Sequence, residues 1–183
     1  MLWLASLVLA GCGAAGRSAA SDARSEPTAG ASAGATPDWY RVELTDVRTG
    51  DTFTMDQFAG RVVLIEAMAE WCPTCLEQQA EVKRLHQLLG APADLVSVSL
   101  DVDLHEDAAS LQAYAAEHGL DWRVAVAPLE VARALGNLYS SQYLNPPVSP
   151  MLVIDRKGTA VQLPYGVKRA EDLLEMLEPF LAG

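Results

Sequence analysis

Long apolar runs and helical spacings alternate along residues 38–183, and together they predict a succession of strands and helices. The runs at 62–68 and 95–100 are almost continuously apolar, which is typical of parallel strands that are buried on both faces of a sheet. Apolar residues three and four positions apart indicate amphipathic helices. This spacing predicts helices at 72–89, 106–118, 129–138 and 170–181.

Shorter patterns predict the remaining elements. Residues 41–44 and 51–54 flank a turn at Gly50 and predict a β-hairpin, which a short helical turn at 55–60 follows. The order of elements predicts an α/β fold with a central mixed sheet flanked by helices and an added N-terminal β-hairpin. Further strands are predicted at 122–126, 150–154 and 159–163.

The first 37 residues have a different composition from the rest of the chain. Residues 1–11 are apolar, but a membrane-spanning helix needs about 20 residues, so we interpret them as the hydrophobic part of an export signal. In residues 12–37, 17 of the 24 positions from Gly13 to Thr36 are Ala, Gly or Ser. Such a composition cannot bury enough apolar surface to fold, so we expect a flexible linker before the domain at 38–183.

Leu9-Ala10-Gly11-Cys12 resembles the bacterial lipobox, although no Lys or Arg precedes the apolar run. The resemblance implies that Cys12 carries a lipid and becomes the N-terminus after cleavage. The protein would then be anchored in the cell membrane or outer membrane and face away from the cytoplasm. The alternative is a chance cysteine in a truncated leader.

Length and charge limit the classes of function. A chain of 183 residues, half of them hydrophobic, supports one ordinary domain. The formal net charge of −11 argues against nucleic acid as a partner, because nucleic-acid binders carry basic patches. We expect a monomer.

Cys72-Pro73-Thr74-Cys75 is the segment with the clearest chemistry, because it follows a predicted buried strand and opens a predicted helix. Residues three apart on a helix share a face, so the two sulfurs can close a disulfide ring. The first cysteine lies beside unpaired backbone N–H groups at the positive end of the helix dipole. This environment favours the thiolate, which is the attacking species in disulfide exchange.

The cysteine pair has two alternative uses, a structural zinc site and a purely structural disulfide. A structural zinc site needs four ligands, whereas the chain has only three cysteines and its three histidines show no ligand spacing to the pair. A purely structural disulfide does not need a tryptophan-flanked pair at a junction between strand and helix. We therefore expect redox chemistry, without a metal or cofactor.

The stretch from Val62 to Cys75, with its Trp-Cys-x-x-Cys core, resembles the active-site strand and helix of thioredoxin-fold proteins. It is most similar to the extracytoplasmic, membrane-attached thiol–disulfide oxidoreductases of the TlpA/ResA kind, over roughly residues 39–183. The resemblance implies that Cys72 is the more exposed nucleophile. Cys75 would then resolve the mixed disulfide.

Two further catalytic residues follow from the same resemblance. Glu66 takes the position of a buried acid in thioredoxins; burial should raise its pKa, and it would accept the proton of Cys75. The alternative is that Glu66 pairs with a basic residue or reaches solvent. Pro150 takes the position of a cis proline that faces the cysteine pair, which would expose the backbone of Ser149 for pairing with a substrate chain.

Three neighbours of the cysteines are candidate substrate-binding residues. Trp71 would border the site and shield the disulfide or dock substrate, although a partly buried structural role is the alternative. Pro73 and Thr74 would tune the stability of the thiolate.

The leading hypothesis is a protein disulfide reductase for cytochrome c maturation or metal-site assembly. Its partners would be protein thiols and disulfides, together with a membrane thiol protein that exchanges electrons with it. The alternative is a Cu(I)-binding, metallochaperone-like module, since two thiolates can hold Cu(I). Related copper-assembly proteins, however, have three residues between their cysteines and a later histidine. The peroxiredoxin pattern that would indicate a peroxidase is missing from the sequence.

Overall fold

The computed structural model describes residues 36–90 and 94–182, and its centre is a five-stranded mixed sheet in the order β5-β4-β3-β6-β7. The strands of this sheet are β3 (Val62–Met68), β4 (Leu95–Asp101), β5 (Arg123–Val126), β6 (Met151–Ile154) and β7 (Ala160–Gln162). The helices are α1 (Pro73–Leu89), α2 (Ala108–Glu117), α3 (Leu129–Leu138) and α4 (Ala170–Leu181). A separate two-stranded sheet joins β1 (Leu44–Thr45) to β2 (Thr52–Phe53).

Strand β3 is central, parallel to β4 and antiparallel to β6. All seven of its residues are buried, as the continuous apolar run predicts. Its register places Glu66 beside Ser99 of β4 and Met151 of β6. The single acidic residue of the strand therefore lies in the middle of the sheet.

Two apolar clusters cover the opposite faces of the sheet. Because side chains alternate along a strand, Leu64 and Met68 face one cluster while Val63 and Ile65 face the other. The first cluster contains buried residues of α1, α2 and α4 together with both cysteines. The second cluster contains buried residues of α3 and of the N-terminal part of the domain. The cysteines and Glu66 thus belong to the same side of the sheet.

The fold class predicted from the sequence is confirmed, and the differences concern the ends of elements and the short turns. Helix α2 begins at Ala108 rather than 106, because the side chain of Asp107 accepts hydrogen bonds from the backbone N–H groups of Ala109 and Ser110 and so caps the helix. The strands of the hairpin are shorter than predicted, and the first, Leu44–Thr45, overlaps the predicted 41–44 only at Leu44. Three 3₁₀ turns were not predicted: Asp38–Arg41, Ser141–Leu144 and Pro146–Val148.

The predicted export signal, most of the predicted linker and Cys12 lie outside the described residues. Among the helices that the structure does describe, none combines the length and the apolar character needed to cross a membrane.

Candidate active site

Cys72 and Cys75 form a disulfide where the turn after β3 enters α1, with their Cα atoms 5.3 Å apart. Cys72 is the N-cap of α1, and its sulfur accepts a hydrogen bond from the backbone N–H of Cys75 at 3.2 Å. Pro73 begins the helix, where its missing N–H leaves no hydrogen bond unmade. The same N–H group and the helix dipole would stabilise a thiolate at Cys72 after reduction. This geometry suits thiol–disulfide exchange.

Both cysteines are buried, at 1 % exposure for Cys72 and 0 % for Cys75, so the prediction that Cys72 is the more exposed partner is not met in the disulfide form. Residues 146–149, here called the covering loop, lie against this turn. The hydroxyl of Thr74 lies 3.3 Å from the sulfur of Cys72 and donates to the carbonyl of Pro147 at 3.0 Å. The sulfur of Cys75 lies 3.5 Å from the carbonyl oxygen of Pro146.

The predicted cis bond before Pro150 is wrong, because every peptide bond in the described residues is trans. The chain changes direction by another means. Ser149, which follows the 3₁₀ turn Pro146–Val148, adopts the left-handed conformation with φ 47° and ψ 60°. It is the one residue other than glycine with positive φ in the part of the chain that the structure describes.

Ser149 does not present its backbone to solvent in the way that the predicted substrate pairing requires. The residue is fully buried, and its N–H donates to the carbonyl of Pro146 at 2.8 Å. Its carbonyl accepts from the ammonium group of Lys168 at 2.9 Å, and its hydroxyl donates to the carbonyl of Thr74 at 3.4 Å. Pairing with a substrate chain would first require these bonds to open.

Glu66 lies in the sheet beneath α1 with 2 % exposure. Burial raises the pKa of its carboxyl group to about 7, while a hydrogen bond from Ser99 and the positive charge of Lys168 oppose this shift. The hydroxyl of Ser99 donates to Oε2 at 2.9 Å and accepts from the indole N–H of Trp122. The side-chain amide of Gln79, which donates to the sulfur of Met68 at 3.2 Å, is a second polar neighbour of this carboxyl group and also lowers its pKa. A buried carboxyl with a pKa raised in this way is suited to proton transfer, and that Glu66 accepts the proton of Cys75 stays a prediction.

Lys168 is a buried residue that the sequence interpretation missed. It precedes α4 and is 5 % exposed, and burial lowers the pKa of its ammonium group to about 8 although the charge of Glu66 opposes the shift. A lysine in the polar stretch from Gly166 to Glu171 has the sequence pattern of a surface residue, so no local signal indicated its burial.

A second unpredicted feature is a group of three carboxyls at the C-terminal end of β4. Oxygen atoms of Glu70, Asp101 and Glu106 lie within 4.8 Å of one another. The carboxylate of Glu106 accepts from the backbone N–H of Glu70 through both oxygens, at 2.9 and 3.1 Å. Burial, together with the neighbouring carboxylates, raises the pKa of Asp101 well above its ordinary value. This group fixes the turn between β3 and the cysteines.

Trp71 is 56 % exposed and lies next to the buried disulfide in the chain. Its indole N–H donates to the carboxylate of Asp103 at 2.6 Å, which holds the ring at the surface. Pro73 is also exposed, whereas Thr74 is partly buried. Binding of substrate by these three residues stays a prediction.

Comparison with known proteins agrees with this geometry. A family model described as Redoxin matches residues 30–177. No curated protein matches the sequence.

Several solved structures are similar to the chain at low sequence identity. A candidate protein disulfide isomerase from Bacteroides thetaiotaomicron is 21 % identical with a TM-score of 0.63, over 78 % of this chain and 86 % of that one. A candidate electron transfer protein from Aquifex aeolicus is 19 % identical with a TM-score of 0.66, over 81 % and 96 %. A thiol:disulfide interchange protein of the thioredoxin family from Chlorobium tepidum is 17 % identical with a TM-score of 0.58, over 76 % and 92 %. At these identities the likeness establishes the fold.

Proposed function

The chain belongs to the Redoxin family and is a thiol–disulfide oxidoreductase. From that premise we propose that it reduces disulfides of other proteins outside the cytoplasm, while a lipid tethers it to a membrane. The observation that supports the reaction is the Cys72–Cys75 disulfide at the start of α1, with the N–H of Cys75 directed at the sulfur of Cys72. The TlpA/ResA-like assignment rests on the resemblance around these cysteines.

The proposed reaction proceeds in two exchanges. The thiolate of reduced Cys72 attacks one sulfur of a substrate disulfide, forms a mixed disulfide and releases the other substrate sulfur as a thiolate. Cys75, once deprotonated, attacks the sulfur of Cys72 and releases the second substrate thiolate. The enzyme thereby loses two electrons to the substrate, and two protons end on the substrate thiols. A separate thiol protein must then reduce the Cys72–Cys75 disulfide.

The redox equilibrium of the pair tests the proposed direction. We expect the full-length protein, equilibrated with mixtures of reduced and oxidised glutathione, to give a potential near that of thioredoxin, about −270 mV. It should also reduce insulin in the presence of dithiothreitol. A potential near that of DsbA, about −120 mV, would instead indicate an oxidant for folding proteins. Stoichiometric retention of Cu(I) without disulfide turnover would favour the metallochaperone alternative.

The proposed location depends on Cys12. When the gene is expressed in a bacterium that processes lipoproteins, we expect the protein to incorporate labelled fatty acid and to sediment with membranes. Cys12→Ser should abolish the labelling, because the sulfur that would carry the lipid is gone. Cys72→Ser provides the matched control, since it changes another cysteine to serine and should leave the labelling intact. A wild-type protein without label would contradict the tether.

A further inference from the structure

Lys168 bonds to helix α1, to the covering loop and to Gly166. Its ammonium group donates to the carbonyls of Ser149 at 2.9 Å and Gly166 at 2.6 Å. Burying an ammonium group is costly unless it is paired or hydrogen-bonded. These two carbonyls therefore give the side chain one defined position against the covering loop.

The backbone of Lys168 is held just as closely by α1. Gln78 is fully buried and follows Cys75 by one helical turn. Its side-chain amide donates to the carbonyl of Lys168 at 3.1 Å and accepts from the N–H of Lys168 at 2.8 Å. Lys168 thus connects the active-site helix to the covering loop. Its backbone bonds to Gln78 of α1, and its side chain bonds to the carbonyl of Ser149.

The covering loop ends at a residue whose conformation needs support. Ser149 adopts the left-handed conformation, which is uncommon for residues other than glycine, and it precedes a proline, where backbone freedom is restricted further. Conformations of this kind persist where the surroundings fix them. The hydrogen bond from Lys168 fixes the carbonyl of Ser149.

We propose that Lys168 is a positioning residue of the redox site, whose hydrogen bond to the carbonyl of Ser149 holds the covering loop over the cysteines. This inference rests on the proposed disulfide exchange and deepens it. When the ammonium group is removed, the covering loop should open more often and leave the reduced cysteines more accessible.

Alkylation of the reduced, full-length protein by iodoacetamide measures this opening when the Cys72 peptide is followed by mass spectrometry. The midpoint of the rate against pH reports the pKa of Cys72, and the plateau at high pH reports its access to reagent. For Lys168→Met, we expect the plateau to rise several-fold, because the covering loop loses its hydrogen bond to the ammonium group. Lys168→Arg should keep the plateau near the wild-type value, because it keeps a donor for the carbonyl of Ser149.

Lys157→Met is the matched control, because it makes the same chemical change at an exposed lysine in the turn between β6 and β7. A folded Lys168→Met protein with the plateau of this control would overturn the inference. If Lys168→Met does not fold, Gln78→Leu tests the positioning step by releasing the backbone of Lys168; an unchanged plateau there would also overturn it. If the wild-type protein exchanges no disulfides, the proposed function fails instead.

Discussion

Cys72→Ser is expected to lower insulin reduction to the rate that dithiothreitol gives without enzyme. The reason is that the sulfur of Cys72 lies at the N-cap of α1, where the N–H of Cys75 and the helix dipole stabilise its thiolate. A serine hydroxyl cannot form the mixed disulfide. Insulin precipitation followed by turbidity measures the effect, and full activity in this variant would refute the assigned nucleophile.

Cys75→Ser should give a different defect, because the first exchange still takes place but nothing resolves its product. We expect a stable one-to-one adduct between Cys72 and a substrate thiol, visible on non-reducing gels and reversed by dithiothreitol. The double variant Cys12→Ser/Cys75→Ser is the necessary control, since Cys12 is the third cysteine of the chain. The adduct must persist in the double variant. Its disappearance would show that the trapped sulfur was Cys12.

The central elements of the fold are predictable from the sequence because their signals are local. Val62–Met68 is buried on both faces, so its apolar run is continuous, and the predicted bounds of β3 agree with the structure. The predicted bounds of α3 and α4 agree as well, since each has an amphipathic spacing of apolar residues. The 3₁₀ turns were missed because each is only three or four residues long, too short to show a period.

The active site is predictable only in part, because only some of its contacts are local in the sequence. Cys72 and Cys75 are three residues apart, so their pairing follows from helical geometry alone. Lys168 joins the site through contacts with Gln78 and Ser149, and such long-range contacts leave no pattern in the local sequence. The isomer of the bond before Pro150 likewise depends on tertiary context, here the left-handed Ser149.

Glu66→Gln should slow the second exchange while it stabilises the folded protein at neutral pH. Burial raises the pKa of Glu66 to about 7, so at or above this pH the wild-type protein must keep a negative charge inside the sheet. Glutamine keeps an oxygen that can accept the hydrogen bond of Ser99 but carries no charge. If Glu66 takes the proton of Cys75, its loss should slow resolution by about 100-fold at pH 7.

The effect on stability has a definite sign and pH range. Between the unfolded pKa of about 4.5 and the folded pKa of about 7, the folded state binds more protons, so its stability relative to the unfolded state falls as pH rises. Above pH 7 this contribution is constant. One pKa unit corresponds to about 1.4 kcal/mol. The free energy of unfolding of Glu66→Gln, taken relative to that of the wild type, should therefore be up to about 3 kcal/mol higher at pH 8 than at pH 4. Urea unfolding of both proteins at the two pH values measures the difference.

Decay of a mixed disulfide between Cys72 and thionitrobenzoate, followed by the absorbance of the released thiolate, isolates the attack by Cys75. For the wild-type protein we expect the rate to rise with pH through a midpoint near 7, and for Glu66→Gln we expect that step to vanish. Ser99→Ala is the matched control: it removes a hydrogen bond that lowers the pKa of Glu66, so it should move the midpoint upward and keep the step. A purely structural Glu66 would alter stability without altering the dependence of this rate on pH. An unchanged pH dependence in a stabilised Glu66→Gln protein would therefore show that Glu66 does not take the proton of Cys75.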